Sequence, residues 1–323
     1  MNPLYFVIKF RNYLLKGKRK KFPYKSIGIG GISMGGSGKT PLAIEVIKFF
    51  KKKNVKLALL TRGYRRKDKS LKIVLENEKV TPYEIGDEPF LIYKKENIPI
   101  GVCKDRLKSA REILKNKDVS LFILDDAMQI KKYYFDLNVF VLSEREIFER
   151  ERFFPEGISR DLREEIFFGD VIIINTKMNN KRRYRIFFLE RKKIPYFFAN
   201  YRVKGFKNIK GEIVLPEKRD YFLLVTGIAN PSSLKRFIER RFILREHIKF
   251  LDHHFYTEKD IKRILELKDK LKCDYILTTE KDIVRMNIEH DFFIYPEIEM
   301  EIEKGFYRIL SEFVKQVESE EKG

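Results

Sequence analysis

The sequence contains little cysteine and has no long apolar run. Only Cys103 and Cys273 occur in 323 residues, far apart and without the spacing of metal ligands. A disulfide framework and a cysteine-rich zinc site are therefore excluded, and a reducing compartment is the simplest interpretation. No window approaches the roughly 18 uninterrupted apolar residues that a membrane-spanning helix needs, and no short apolar core followed by small residues indicates a cleaved signal peptide. We expect a protein that works in the cytoplasm.

The chain is strongly basic. Lysine and arginine number 68 against 47 aspartates and glutamates, which gives a net charge of +21. Anionic partners are therefore expected: phosphates, nucleic acid or an acidic membrane surface. No recognised nucleic-acid-binding motif accompanies the charge, so we expect no nucleic acid partner. With 43% apolar residues the chain can bury a substantial core, and at roughly 150 residues per domain its length predicts about two domains.

Residues 1–21 combine an apolar, aromatic stretch with a basic run. Apolar side chains occupy most of residues 4–15, and five cations follow before residue 22. Such a segment can place apolar groups at the headgroup boundary of a bilayer while its cations contact anionic lipid. The alternative is a helix packed on the domain and followed by a solvated basic linker. Our hypothesis is peripheral membrane binding through this amphipathic basic segment.

A glycine-rich loop, Ser33-Met-Gly-Gly-Ser-Gly-Lys-Thr40, follows a short apolar strand and precedes an apolar-periodic helix at about 41–50. Small residues let backbone N–H groups approach phosphate oxygens, and the start of the helix favours an anion. This order predicts nucleotide binding, with Lys39 reaching the β and γ phosphates and the Thr40 hydroxyl binding Mg²⁺. The alternative is a flexible turn with an accidental Gly-Lys-Thr, since Ser33 replaces the usual first glycine. The remaining predicted nucleotide-binding residues are Gly35, Gly36, Ser37 and Gly38.

Apolar runs alternate with helical or polar stretches along the chain, and this alternation predicts a parallel sheet covered by helices. The runs lie at 55–60, 98–103, 119–124, 137–142 and 171–174. A shorter alternation of predicted strands and helices begins at residue 221. The predicted fold is therefore α/β, with a P-loop NTPase-like parallel sheet domain and a second, smaller α/β domain. The predicted boundaries are 22–180 for the nucleotide-binding domain, 181–220 for a basic linker and 221–323 for the C-terminal domain.

Two acidic pairs are candidates for chemistry. Asp125 and Asp126 end an apolar run, where a Walker-B carboxylate would hold Mg²⁺; a solvated turn or helix cap is the alternative, and the upstream phosphate loop favours the metal. Asp87, followed by Glu88 and Pro89, either starts a helix or accepts a proton from an attacking hydroxyl. For this second pair the spacing alone favours the helix start.

In several of these motifs and their order, the sequence resembles the tetraacyldisaccharide 4′-kinase family of bacterial lipid A synthesis. The resemblance rests on motifs in a common order: Gly35 to Pro41, Thr61-Arg-Gly-Tyr64, Gly86-Asp-Glu-Pro89, Leu124-Asp-Asp126 with Gln129, Thr226-Gly-Ile-Ala-Asn-Pro231, Asp252-His253 and Thr278-Thr-Glu-Lys-Asp282. It implies transfer of the ATP γ-phosphate to the 4′-hydroxyl of an acylated glucosamine disaccharide 1-phosphate. It also implies a peripheral location at the cytoplasmic face of the bacterial inner membrane, and it implies no particular protein partner.

The resemblance also implies roles for individual residues. Asp87 would be the catalytic base and His253 the imidazole that pairs with it; His253 is preferred to His254 because it directly follows an aspartate, as in the family. Asp125 would be the Walker-B acid, and Glu88 would join the metal shell. Because the base and the histidine fall in different predicted domains, we expect domain closure to assemble the acceptor site. The candidate substrate contacts are Arg62, Arg106, Asp126, Gln129 and Arg160.

Two motifs depart from the family. The segment Phe154-Pro-Glu-Gly-Ile-Ser-Arg-Asp161, which contains Arg160, only approximates the family's Leu-Pro-Ala-Gly-Pro-Leu-Arg-Glu segment, and the other departure follows the apolar run 119–124. The chain reads Asp125-Asp126-Ala127-Met128-Gln129-Ile130-Lys131 where the family usually has Asp-Asp-Gly-Phe-Gln-His-Arg. The acids remain, whereas a glycine, a histidine and an arginine are replaced. The alternative function from another class is a P-loop GTPase or ATPase that acts as a conformational switch or delivery factor, and hydrolysis independent of a lipid acceptor would identify it.

Overall fold

The computed structural model describes residues 3–15, 19–33, 35–64, 66, 68–128, 130–149, 152–153, 157, 159–178 and 183–321. The chain forms two compact units. The first comprises Met1–Asn200 and Glu301–Gly323, and the second comprises Tyr201–Met300. This division differs from the predicted boundaries at the linker and at the C-terminus.

The helices and strands follow one another along the whole chain. The strands are β1 (Lys25–Gly30), β2 (Leu57–Thr61), β3 (Lys72–Val74), β4 (Ile100–Val102), β5 (Leu121–Leu124), β6 (Leu137–Ser143), β7 (Val171–Asn175), β8 (Tyr196–Asn208), β9 (Ile213–Val214), β10 (Tyr221–Thr226), β11 (Ile243–Lys249), β12 (Tyr275–Leu277) and β13 (Phe293–Ile302). The helices are α1 (Pro3–Leu15), α2 (Lys39–Lys52), α3 (Pro82–Ile85), α4 (Asp87–Glu96), α5 (Arg106–Leu114), α6 (Glu144–Phe148), α7 (Phe187–Arg191), α8 (Ser232–Glu239), α9 (Glu258–Lys270), α10 (Glu280–Ile283) and α11 (Lys304–Glu321), with a 3₁₀ helix at Arg163–Phe168.

The first unit contains a mostly parallel sheet in the order β7-β6-β1-β5-β2-β4-β3. Neighbouring strands run parallel except β3, which is antiparallel to β4. The residues of β2, β5 and β7 are buried throughout, because helices cover both faces of a parallel sheet. The predicted α/β class is confirmed. Loops that follow the parallel strands gather at one edge of such a sheet, where ligands bind.

The second unit is a smaller parallel sheet in the order β11-β10-β12-β13. Phe222 of β10 packs on Phe242 and Tyr275, with ring centroids 4.8 and 5.6 Å apart. The strands and helices predicted after residue 221 are present at β10, α8, β11, α9 and β12. The end of β8 also belongs to this unit, where Lys207 pairs with Glu297 of β13 at 2.8 Å.

Two predicted boundaries need correction. The linker placed at 181–220 contains β8, whose backbone is paired and therefore part of a sheet. Helix α11, assigned from sequence to the C-terminal domain, packs on α2 of the first unit instead. Tyr307 lies 5.7 Å from Phe49, and Phe313 lies 6.3 Å from Phe50, measured between ring centroids. These ring contacts, with Phe50 and Phe313 buried, place the end of the chain with the first unit.

Helix α1 packs through a polar side and exposes an apolar one. Asn12 is buried, and its Nδ2 donates to Asp161 Oδ1 at 2.9 Å and to Glu165 Oε1 at 2.8 Å. Phe6 and Phe10 are 57% and 64% exposed on the same helix. Of the helices that the structure describes, none is long and apolar enough to cross a membrane. The helix therefore combines features of both sequence interpretations.

Candidate active site

The phosphate loop follows β1 and ends at the start of α2. Gly36 and Gly38 have φ values of 74° and 108°, a backbone conformation that glycine adopts without steric cost. The hydroxyls of Ser33 and Ser37 are buried and make no hydrogen bond within the residues that the structure covers. Buried hydroxyls normally have a partner, so this loop fits a polar ligand such as phosphate.

Lys39 lies among oxygen atoms at the end of this loop. Its Nζ is 3.5 Å from the Ser33 carbonyl oxygen and 3.8 Å from Asp126 Oδ1. Asp126 also pairs with Arg160. Burial raises the pKa of Asp126, but the charges of Lys39 and Arg160 outweigh it and hold that pKa below its usual value. The aspartate is therefore anionic at neutral pH and balances two cations beside the loop.

The loop after β5 accommodates the replaced glycine of the family motif. The left-handed residue is Asp126, with φ of 53°, whereas Ala127 is not left-handed. Ala127 N donates to the Ile29 carbonyl at 2.9 Å, which fixes the loop on β1. A Cβ on Gly30 would lie 2.6 Å from Met128 Cγ, so a glycine in β1 makes room for the methionine. Gln129 lies outside the described residues.

Arginines follow the two neighbouring strands β2 and β4. Arg62 is exposed, whereas Arg106 is only 2% exposed and its Nη1 donates to the Cys103 carbonyl at 2.6 Å. Burial lowers the pKa of Arg106 to about 10, and the nearby charges of Asp125 and Asp126 act in the opposite direction. These strand ends therefore bring the predicted arginines and the two aspartates together. Arg106 is held in the interior.

Asp87 is the first residue of α4, and Gly86, with φ of 95°, is its N-cap. The Asp87 carboxylate is largely buried and its Oδ1 accepts a hydrogen bond from Glu88 N at 3.0 Å. A Cβ on Gly86 would lie 3.2 Å from the Tyr64 carbonyl oxygen. The turn before Asp87 therefore packs against the loop that follows β2, and Asp87 serves both the helix start and a position beside that loop.

His253 lies in the second unit, in a turn after β11. Its φ is 60°, and its backbone N donates to the Gly227 carbonyl at 3.1 Å. The adjacent His254 is engaged elsewhere: its Nε2 lies 3.0 Å from Asp260 Oδ2, and its ring stacks on Phe250 with centroids 4.6 Å apart. The two neighbouring histidines therefore have different environments.

Asn175 is a residue that the sequence analysis missed. It ends β7, it is buried, and its Nδ2 donates to the carbonyl oxygen of Ser37 at 2.8 Å. This bond ties the phosphate loop to a strand two positions away in the sheet. The sequence feature that could have indicated Asn175 is its position as a polar residue directly after the apolar run 171–174.

A cleft of about 910 Å³ lies beside the same strand end, within the first unit. Thr176 and Phe197 line it together with the start of α11. Two of its charged groups, Arg183 and Glu303, form an ion pair of 2.7 Å. The volume is within the range of small-molecule sites.

Replacing Asn175 by alanine should raise the KM for ATP several-fold, because the loop loses the side-chain bond to Ser37. The effect is measured by steady-state kinetics with varied ATP. The matched control is Thr176→Val, which removes a hydroxyl bond to the Ala199 carbonyl at the same strand end and leaves the loop untouched. Equal KM values for wild type and Asn175→Ala would contradict this role.

Comparison with known proteins places these residues in a family. A family model described as tetraacyldisaccharide-1-P 4′-kinase matches residues 4–315. The chain belongs to this family. The tetraacyldisaccharide 4′-kinase of Cytophaga hutchinsonii is 30% identical over 319 residues, covering 94% of this chain and 86% of that protein. The corresponding kinase of Flavobacterium psychrophilum is 31% identical over 297 residues, covering 87% and 84%.

A solved structure shows the same fold. The crystal structure of LpxK from Aquifex aeolicus in complex with ATP matches with a TM-score of 0.76 and 24% identity, covering 97% of this chain and 95% of that one. The predicted tetraacyldisaccharide 4′-kinase family, the fold class and the assignment as a kinase are confirmed by these matches.

Proposed function

We propose that this kinase transfers the γ-phosphate of ATP to the 4′-hydroxyl of a tetraacyldisaccharide 1-phosphate, with the site residues acting as described below. The observation that carries the proposal is the contact of Lys39 with Asp126 beside the phosphate loop, next to Asp125 at the end of β5, in a chain that matches the kinase family over residues 4–315. Phosphoryl transfer depends mainly on positioning and charge stabilisation, and this arrangement supports both.

The loop residues supply the nucleotide site. Backbone N–H groups of the loop and the buried hydroxyls of Ser33 and Ser37 would bind the phosphates, and Lys39 would exchange Asp126 for a phosphate oxygen. Arg160 remains with Asp126 and balances its charge. This exchange keeps the cation available for the charge that develops on the transferred group.

Thr40 and Asp125 are the groups that would hold Mg²⁺, with Glu88 as a further ligand. Mg²⁺ binds through one or two carboxylates together with substrate phosphates and water. No cluster of three or more His, Cys, Asp or Glu side chains suited to a metal occurs within the described ranges. When bound, the ion neutralises charge on the γ-phosphoryl group.

Asp87 accepts the proton of the 4′-hydroxyl, and His253 supports that carboxylate. The burial of Asp87 and its place at the start of α4 suit a base with a fixed orientation. Arg62 is exposed and suits a contact with the anionic acceptor, whereas Arg106 and Arg160 act closer to the aspartates. Gln129 is proposed from the family motif alone.

The kinase associates peripherally with an anionic membrane surface, at the cytoplasmic face of the bacterial inner membrane. Helix α1 presents Phe6, Phe10 and Leu14, all more than half exposed, and the net charge of +21 favours anionic lipid. The acceptor is itself a lipid, so attachment of the enzyme to the bilayer raises its access to substrate.

Replacing both Phe6 and Phe10 by serine should strongly reduce binding to vesicles that contain anionic lipid, because two aromatic rings no longer enter the headgroup boundary. Vesicle flotation measures the bound fraction. The control is Phe187→Ser, which removes a ring that is 66% exposed on α7. Undiminished flotation of the double variant would show that α1 is merely packed on the unit.

ATP consumption with and without the lipid acceptor distinguishes the proposal from a nucleotide-dependent switch. The kinase should consume ATP slowly alone and at least tenfold faster with tetraacyldisaccharide 1-phosphate, because the attacking hydroxyl belongs to the lipid. Equal rates under both conditions would favour the switch.

A further inference from the structure

Asp282 joins two motifs of the second unit to which the chemistry above gives no role. These motifs are Thr226-Gly-Ile-Ala-Asn-Pro231 and Thr278-Thr-Glu-Lys-Asp282. The Asp282 side chain is completely buried. Its Oδ1 accepts hydrogen bonds from Gly227 N and Tyr256 OH, both at 3.1 Å, and its Oδ2 accepts one from the Thr279 hydroxyl at 2.6 Å.

Arg285 extends this arrangement to the turn that carries the histidines. The guanidinium is buried, and its Nη2 donates to Asp282 Oδ1 at 3.0 Å. The same group lies 3.4 Å from two carbonyl oxygens, those of Gly227 and His254. The planar fork of arginine can contact several acceptors at once. Arg285 therefore links Asp282 to the turn at His254 and to the Gly227 carbonyl, which also accepts from His253 N.

The turn at His253 needs such support. A non-glycine residue with positive φ is strained, and His253 adopts φ of 60°. Its backbone N donates to the Gly227 carbonyl at 3.1 Å. A Cβ on Gly227 would lie 3.0 Å from both Asp282 Oδ1 and Tyr256 OH. Close packing around this glycine fixes the peptide to which His253 is bonded.

We propose that Asp282 and Arg285 are positioning residues that hold the backbone turn of His253 in its left-handed conformation. The kinetic consequence rests on the role proposed above for His253. A buried ion pair adds little stability as such, but it can specify one conformation. Burial raises the pKa of Asp282, while Arg285, Thr279 and Gly227 N act in the opposite direction, so loss of one donor favours protonation and loosens the turn.

Asp282→Asn tests the proposal in the full-length kinase. The amide oxygen can still accept from Gly227 N, but the charge that holds Arg285 is lost and an N–H donor replaces the oxygen that faces the Thr279 hydroxyl. We expect kcat to fall about 10- to 100-fold, because small misplacements of a catalytic group are costly, with an unchanged KM for ATP. The control is Asp274→Asn, which alters a carboxylate bonded to Tyr221 N at 2.7 Å, at the opposite end of β10; it should keep wild-type kcat.

Two further measurements separate positioning from a general loss of structure. Adding Asp282→Asn to His253→Ala should cause no additional loss of kcat, and the imidazole signals of His253 in NMR spectra should shift in Asp282→Asn but not in the control. If Asp282→Asn does not fold, Arg285→Lys replaces it, because lysine keeps the charge but loses the fork.

Wild-type kcat with unchanged His253 signals, or additive losses in the double variant, would overturn the proposal. Wild-type turnover of His253→Ala would instead show that the proposed role of the histidine is wrong. In that case the NMR shift alone decides whether Asp282 holds the turn.

Discussion

Replacing Asp87 by asparagine lowers kcat by about 100- to 10,000-fold, the usual contribution of a general base, and leaves ATP binding nearly unchanged. The amide keeps the shape and the acceptor for Glu88 N, so α4 still starts normally, but it cannot take the proton of the 4′-hydroxyl. Single-turnover transfer from ATP to the acceptor lipid measures the chemical step.

Glu84→Gln is the matched control for Asp87→Asn. Glu84 is a partly exposed carboxylate in the preceding helix α3, where its Oε2 accepts from Thr81 N at 2.8 Å. Loss of this charge should leave kcat within about twofold, since a surface substitution rarely changes the free energy of unfolding by more than about 0.5 kcal/mol. Wild-type turnover of Asp87→Asn would remove Asp87 from the role of base.

Lys39→Ala should lower kcat/KM by about 100- to 1,000-fold, the loss that follows removal of one preorganised group from a developing charge. The structure describes two cations that pair with Asp126 beside the loop, Lys39 and Arg160. The variant removes Lys39, and Arg160 remains. The phosphates also lose a cation that would bind them, so ATP affinity falls as well. Steady-state kinetics and calorimetric titration with ATP separate the two effects.

Lys48→Ala is the control for this second variant. Lys48 lies on the same helix α2 and pairs with Glu45 at 3.0 Å, away from the loop. It should retain wild-type kcat/KM. Unchanged ATP affinity and turnover in Lys39→Ala would contradict the assignment of the phosphate loop.

The sequence predicted the elements whose signal is local. An apolar run, a glycine loop and a periodic helix are consecutive, so β1, the phosphate loop and α2 could be placed without knowledge of the rest. Strand β8 could not, because its partner β13 lies far away in the sequence; Lys207 and Glu297 are 90 residues apart. Helix α11 is amphipathic, and an amphipathic pattern does not tell which unit covers the apolar side.

The candidate site shows the same division. Lys39, Thr40 and Asp125 follow from motif spacing, and the structure places them at the carboxyl edge of the sheet of the first unit. The supporting bond from Asn175 to the loop could not be predicted, because it joins residues 138 apart. Similarly, spacing offers two histidines, whereas the contacts of His254 with Asp260 and Phe250 are visible only in three dimensions.

The central claim is tested most directly by transfer of labelled γ-phosphate from ATP to tetraacyldisaccharide 1-phosphate in mixed micelles, with the product resolved by chromatography. The account predicts label at the 4′ position of the disaccharide, dependent on the lipid and formed at least about 100-fold more slowly with Asp87→Asn. ATP hydrolysis without label on the lipid would contradict the proposed acceptor and favour a nucleotide-dependent switch.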